Sequence, residues 1–149
     1  KGLVTIAKSK TLYVENPNAT QGTILLLGGV DGPESTLNMR LGQNATQTRL
    51  HHVRSSFNVK SFIVGGDYRT SNLQLHAFGQ QWQEVKVGYG SLIAMAPGIY
   101  CPTTVIRPNS YYATGNYNLN GFDQTVDRIF SEGSYAEAGQ ILQKDVAGG

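Results

Sequence analysis

Between Gly22 and Gln80 the chain writes one pattern twice. The first copy runs Ile24-Leu25-Leu26-Leu27-Gly28-Gly29-Val30-Asp31, then a short turn, then Thr36-Leu37-Asn38-Met39-Arg40-Leu41-Gly42-Gln43. The second runs Ser61-Phe62-Ile63-Val64-Gly65-Gly66-Asp67, a turn, then Ser71-Asn72-Leu73-Gln74-Leu75-His76-Ala77-Phe78-Gly79-Gln80. Gly28 and Gly65 are 37 residues apart, as are Gln43 and Gln80. Each copy is an apolar run, a Gly-Gly breaker, an acidic turn and a run in which apolar and polar residues alternate. Alternation at period two puts one face of a strand in a core and the other in water. Two such runs about a Gly-rich turn read as a β-hairpin. The pattern therefore predicts sheet, built from repeated hairpins.

The same signal recurs along the chain. Leu3–Ala7 and Thr11–Val14 are short strand candidates, parted by Lys8-Ser9-Lys10. Glu15-Asn16-Pro17-Asn18 is a turn, because proline fixes φ and asparagine tolerates tight geometry. Thr48–Val53 and Phe57–Val64 continue the sheet, although the alternation slips before Ile63, which a bulge would explain. Leu73, Leu75 and Ala77 share one face. Trp82, Glu84 and Lys86 oppose Val85 and Val87. Ser91–Ala96 ends at Pro97-Gly98, a strong turn dipeptide. Leu26, Leu75 and Ile93 are expected in the core. After Asp123 the period changes. Asp123 can cap a helix carrying Val126, Ile129 and Phe130, and Ser134 with Glu137 forms a capping-box pattern before Tyr135, Ala138, Ile141 and Leu142. The expectation is one domain over residues 1–149: an all-β, two-sheet, jelly-roll-like sandwich of roughly ten short antiparallel strands, with a helical tail from about residue 123.

Composition narrows the function classes. Charged residues are 15% of the 149, against roughly 25% in ordinary soluble domains. Polarity comes from Asn, Gln, Ser and Thr, with 18 Gly and 8 Tyr. Such uncharged polar surface associates with virion and extracellular proteins. The net charge is +2. Arg40, Arg49, Arg54, Lys60 and Arg69 are spread out with no aromatic platform between them, so no nucleic-acid partner is expected. No run approaches the roughly 18 apolar residues of a membrane span. Cys101 is the single cysteine, so it has no intrachain partner and reads as a small buried apolar residue. The chain begins at Lys1 without Met and reads as a fragment or processed product. Asn18-Ala19-Thr20 and Asn44-Ala45-Thr46 fit the N-glycosylation pattern, which has meaning only in a eukaryotic secretory source.

Candidate chemistry is sparse. His51-His52 invites a metal, but neighbours on a strand point to opposite faces. His76 is a possible third ligand, with no Cys or carboxylate spacing to support a site. No metal and no cofactor are expected. Asp31, Glu34 and Glu84 are the carboxylates a glycan hydrolase would need, while Asp31-Gly32-Pro33-Glu34 is also plain turn chemistry. Gly28–Gly32 lacks the Gly-Lys-Ser/Thr ending of a phosphate loop. The best binding candidate is the stretch after Pro108: Asn109, Tyr111, Tyr112, Asn116, Tyr117 and Asn118. Tyrosine offers a flat ring and a polar tip, and asparagine offers both donor and acceptor, a mixture suited to sugars. Packing of the same tyrosines against a neighbouring subunit or the C-terminal segment is the competing account.

In its succession of short strands and its richness in Gly, Asn, Gln and Tyr, the whole chain resembles the globular head domains of phage tail fibres, spikes and tail needles. Some of those heads have a jelly roll similar to tumour necrosis factor. The helical tail is a departure from a pure jelly roll. The resemblance implies a virion or extracellular location and a homotrimeric tip that contacts a host surface glycan or envelope receptor without catalysis. A polysaccharide-degrading enzyme and a purely structural virion or surface-layer component are the alternatives.

Overall fold

The computed structural model describes residues 2–16, 25–26, 28–41, 50–64, 72–87, 90–99, 105–108, 115–129 and 140–142. Strands are numbered in chain order. One sheet holds β1 (Leu3–Thr5), β2 (Thr11–Asn16), β4 (Gly29–Leu41), β6 (Phe57–Val64), β8 (Gln81–Val87), β10 (Val105–Pro108) and β12 (Arg128–Ile129). The other holds β3 (Leu25–Leu26), β5 (Leu50–Val53), β7 (Asn72–Leu75), β9 (Gly90–Ala94), β11 (Gly115–Asn118) and β13 (Gln140–Leu142).

Every paired strand is parallel to its neighbours. After the N-terminal pair β1 and β2, consecutive strands alternate between the two sheets, and each pairs with the strand two places on. The described strands therefore stack as successive coils of a two-sheeted parallel β-solenoid, each coil contributing one strand to each sheet. The advance between paired residues ranges from 19 (Leu73 to Leu92) to 27 (Val30 to Phe57).

The two sheets and the all-β class agree with the sequence reading, but the pairing does not. The antiparallel, jelly-roll-like sandwich is corrected to parallel coils. Parallel neighbours need a crossover of a dozen residues or more, and here the return strand in the second sheet supplies it. The two hairpins dissolve for the same reason. In the first, Leu25–Leu26 belongs to the other sheet as β3, and the acidic turn is not a turn, because β4 runs unbroken through Asp31-Gly32-Pro33-Glu34. The arms of the second, Ser61–Val64 and Asn72–Leu75, lie in different sheets. The helical tail is corrected too. Among the described residues there is no helix, Arg128–Ile129 and Gln140–Leu142 are strands, and Asp123–Asp127 is irregular. The remainder of the expected tail, from Phe130 to Gly139, lies outside the described residues.

The core is the space between the sheets. Leu37, Phe62 and Val85 stack in register on one side, as do Met39, Val64 and Val87. Across the core lie Leu73, Leu92 and Tyr117, with Val53, Leu75 and Ala94 beside them. Phe57, Phe62 and Trp82 form a chain of ring contacts, with centroids 5.6 and 5.0 Å apart. The Tyr117 hydroxyl crosses the core and donates to the Val85 carbonyl at 2.7 Å. Leu75 and Ile93 are buried as expected, and the side chain of Leu26 lies outside the described residues.

The long strands also bend. Val59 and Phe62 both face inward, and so do Trp82 and Val85, because Lys60-Ser61 and Gln83-Glu84 break the alternation. In β4 the same bend carries extra residues, between Gly32 and Thr36. This is the slip visible before Ile63, and it moves Trp82 to the face of Val85 and Val87 rather than that of Glu84 and Lys86. At the bend the first coil presses close: a Cβ on Gly32 would stand 2.9 Å from the Ile6 Cβ, so only glycine fits.

Side-chain amides staple the corners. Gln80 accepts the Phe57 amide at 2.8 Å and donates to the Ser55 and Ala77 carbonyls at 3.1 Å each. Gln124 repeats the device, accepting from the Ile99 amide at 2.9 Å and donating to the Ala96 carbonyl at 2.7 Å. The Ser55 hydroxyl in turn donates to the Gly28 carbonyl. Backbone groups that leave the ladder at a turn must be paired elsewhere when buried, and these amides pair them.

Candidate functional site

Outward-facing residues of the long-strand sheet form a flat, register-locked surface. Tyr13, Asn38, Ile63 and Lys86 occupy one row across β2, β4, β6 and β8. Neighbours in such a row stand about 4.8 Å apart, the spacing of hydrogen-bonded strands. The next row begins with Glu15 and Arg40.

Tyr13 is the row's aromatic element, with 49% of its surface exposed. The Arg40 guanidinium sits 4.3 Å from the Tyr13 ring centroid, and its Nη1 lies 3.1 Å from Glu15 Oε1. The cation above the ring and the carboxylate beside it fix the guanidinium in place. Asn38, between Tyr13 and Ile63, is buried, and its Oδ1 has no hydrogen-bond partner. The face thus combines an aromatic ring, an oriented guanidinium and an aliphatic side chain, with the buried Asn38 amide between ring and aliphatic side chain. That set can stack on an apolar ring face and donate hydrogen bonds to hydroxyls around it.

A second outward feature lies beyond the bend. Asp31, Asn58 and Gln81 align across three coils, and Asn58 Nδ2 donates to Asp31 Oδ1 at 2.7 Å. They border a cleft of about 240 Å³ together with Leu3, Phe57 and Gly79.

The sequence-derived candidates are scattered over the fold. Tyr117 is fully buried with its hydroxyl committed to Val85, so its ring belongs to the core. Asn118 is buried and its Oδ1 accepts the Asn120 amide at 2.9 Å, while Asn116 is half-buried. Asn109, Tyr111 and Tyr112 lie outside the described residues. Of the carboxylates, Glu34 pairs with Lys8 at 2.7 Å on the surface, and Asp31 holds Asn58. His52 and His76, on adjacent coils, face one another at 3.1 Å between Nδ1 and Nε2. Sequence reasoning weighed His51, His52 and His76 as ligands and set them aside, and it missed the Tyr13–Arg40 face. The signal for either contact is the coil advance, 22 residues at His52 and 25 at Tyr13, which sets His76 and Arg40 two residues past the paired positions Gln74 and Asn38.

No helix among the described residues is long and apolar enough to cross a membrane. No protein-family model, curated protein or solved structure matches this chain.

Proposed function

We propose that this chain is a non-catalytic attachment module of a virion tip or extracellular surface, which binds a host-surface glycan through the outer face of its long-strand sheet. The observation that carries the reading is the fixed row of Tyr13, Asn38 and Ile63 flanked by Arg40. A glycan needs flat apolar contact for its ring faces and directed donors and acceptors for its hydroxyls. A stack of parallel coils supplies both on a surface that does not rearrange on binding, which lowers the ordering cost of recognition. Assembly as a homotrimer belongs to the same reading. Its support is the exposed apolar edge at Leu3 (67% exposed) and Val4, together with the sparse charge of the chain.

The test is binding of the intact protein to host envelope glycans, with release of reducing ends followed in parallel. Tyr13→Ala and Arg40→Ala should each weaken binding about tenfold, the effect of losing a contact worth roughly 1.4 kcal/mol, with no reducing ends released. Unchanged binding in both variants would remove this face as the site. Steady release of reducing ends would replace attachment with glycan hydrolysis.

A further inference from the structure

We propose that His52 and His76 form a binding site for a divalent metal ion of the zinc, nickel or copper type. The two residues come from adjacent coils. His52 lies on β5 opposite Gln74, and His76 follows β7 by one residue. The His76 amide donates to the Val53 carbonyl at 2.9 Å, so the ladder continues past the end of β7 and holds His76 in register. Since side chains two residues apart share a face, His76 emerges on the same side as Gln74, and hence as His52.

The geometry suits shared coordination. Nδ1 of His52 and Nε2 of His76 are 3.1 Å apart, and the rings are tilted by 38° with centroids 5.3 Å apart. Two metal–nitrogen bonds of about 2.1 Å that span this gap subtend an angle of about 95° at the ion, which is the angle of adjacent ligands in tetragonal or octahedral coordination and lies near tetrahedral values. Imidazole is a preferred ligand for zinc, copper and nickel.

Without an ion, the same separation suits one hydrogen bond between two neutral rings. Metal entry then requires only that the shared proton move to the far nitrogen of its own ring, so no proton need leave the protein. Burial first, then His52, then Arg54 push the His76 pKa below its ordinary value. Both residues are half-buried, so solvent reaches the pair. Among the described residues no third His, Cys, Asp or Glu joins them. The remaining positions therefore belong to water, and the ion should exchange readily. Met95 continues this corner on the next coil, its amide donating to the Leu75 carbonyl at 3.1 Å, while its sulfur accepts from Asn120 Nδ2 at 3.8 Å.

The test uses the intact protein and Cu²⁺, Ni²⁺ or Zn²⁺ alone. Calorimetry should show one ion per chain. Electron paramagnetic resonance of the Cu²⁺ form should show two equatorial imidazole nitrogens. His52→Gln and His76→Gln should each weaken binding by about tenfold or more, since loss of even an outer partner of a metal ligand costs that much. His51→Gln should leave affinity unchanged. Absence of binding, binding that survives both substitutions, or a Cu²⁺ spectrum with fewer than two nitrogens would each overturn the site. The spectrum is read on the unsubstituted chain, so it decides even if a variant fails to fold.

Discussion

The first coil and the middle coils use the same strand positions in opposite ways. In the middle, β6 and β8 each have a paired neighbour on both sides, and their inward residues Phe57, Val59, Phe62, Val64, Trp82, Val85 and Val87 are fully buried. The first coil has a neighbour on one side only. There the strand is broken into β1 and β2 by Ile6–Lys10, β1 is exposed along its length, and Leu12 and Val14 are only half-buried. Its outer surface carries ion pairs instead, Lys8 with Glu34 and Arg40 with Glu15. The contrast shows that stability in a stack is supplied coil against coil. A residue's worth depends on whether a coil lies on each side of it, more than on its own hydrophobicity.

The strongest way to break the comparison is to truncate the same kind of residue in both places. Trp82→Ala should cost about 3–5 kcal/mol, because the cavity is lined by Phe62 and by residues of both sheets. Leu12→Ala, in the half-buried terminal coil, should cost less, about 1–2 kcal/mol. Denaturant midpoints measure both. Equal losses would mean that the terminal coil is as tightly packed as the middle.

A smaller effect sharpens the role of the corners. Gln80→Ala strips the Phe57 amide and the Ser55 carbonyl of their partners at a buried turn. The expected cost is about 1–3 kcal/mol, the penalty of a buried polar group left unmade. Hydrogen exchange should show faster exchange at Phe57, with protection in β1 and β2 changed little. A loss confined to the first coil would contradict the staple.

The smallest expected effect is that of pH at the His52–His76 corner. The folded state holds the His76 pKa below its ordinary value of about 6.5. The unfolded chain therefore takes up the proton first as pH falls. Stability is complete above about pH 6.5 and declines as the solution is acidified toward the folded value. Denaturant midpoints at pH 7.5 and 5.5 should differ more in the unsubstituted protein than in His76→Gln. Equal pH dependence in the two would place the acid sensitivity elsewhere.

Much of the strand content is legible in the residues. Phe57–Val64 and Trp82–Val87, read from alternation, and Ser91–Ala94, read from an apolar run, lie in strands, Pro97-Gly98 turns the chain, and Leu75 and Ile93 are buried. Tyr117 shows where reading by residue type fails. A tyrosine among asparagines looks like a recognition loop, yet it occupies the same interior row as Leu73 and Leu92 because a main-chain carbonyl across the core accepts its hydroxyl. The period-three spacing of Ile141 and Leu142 with earlier residues suggested helix, but β13 pairs with β11 and tertiary pairing overrode the local pattern.

Sequence alone determined that this chain forms strands and, at Leu73–Leu75 and Val85–Val87, which face turns inward, because period two is a local property of the backbone. It could not determine which strand pairs with which. Alternation looks the same in a strand whether its neighbour runs parallel or antiparallel, and a coil advance that drifts from 19 to 27 residues leaves no fixed repeat to find. Only the tertiary structure set the parallel register. That register brings Tyr13 beside Asn38 and His52 against His76, because both juxtapositions arise from the stacking of coils.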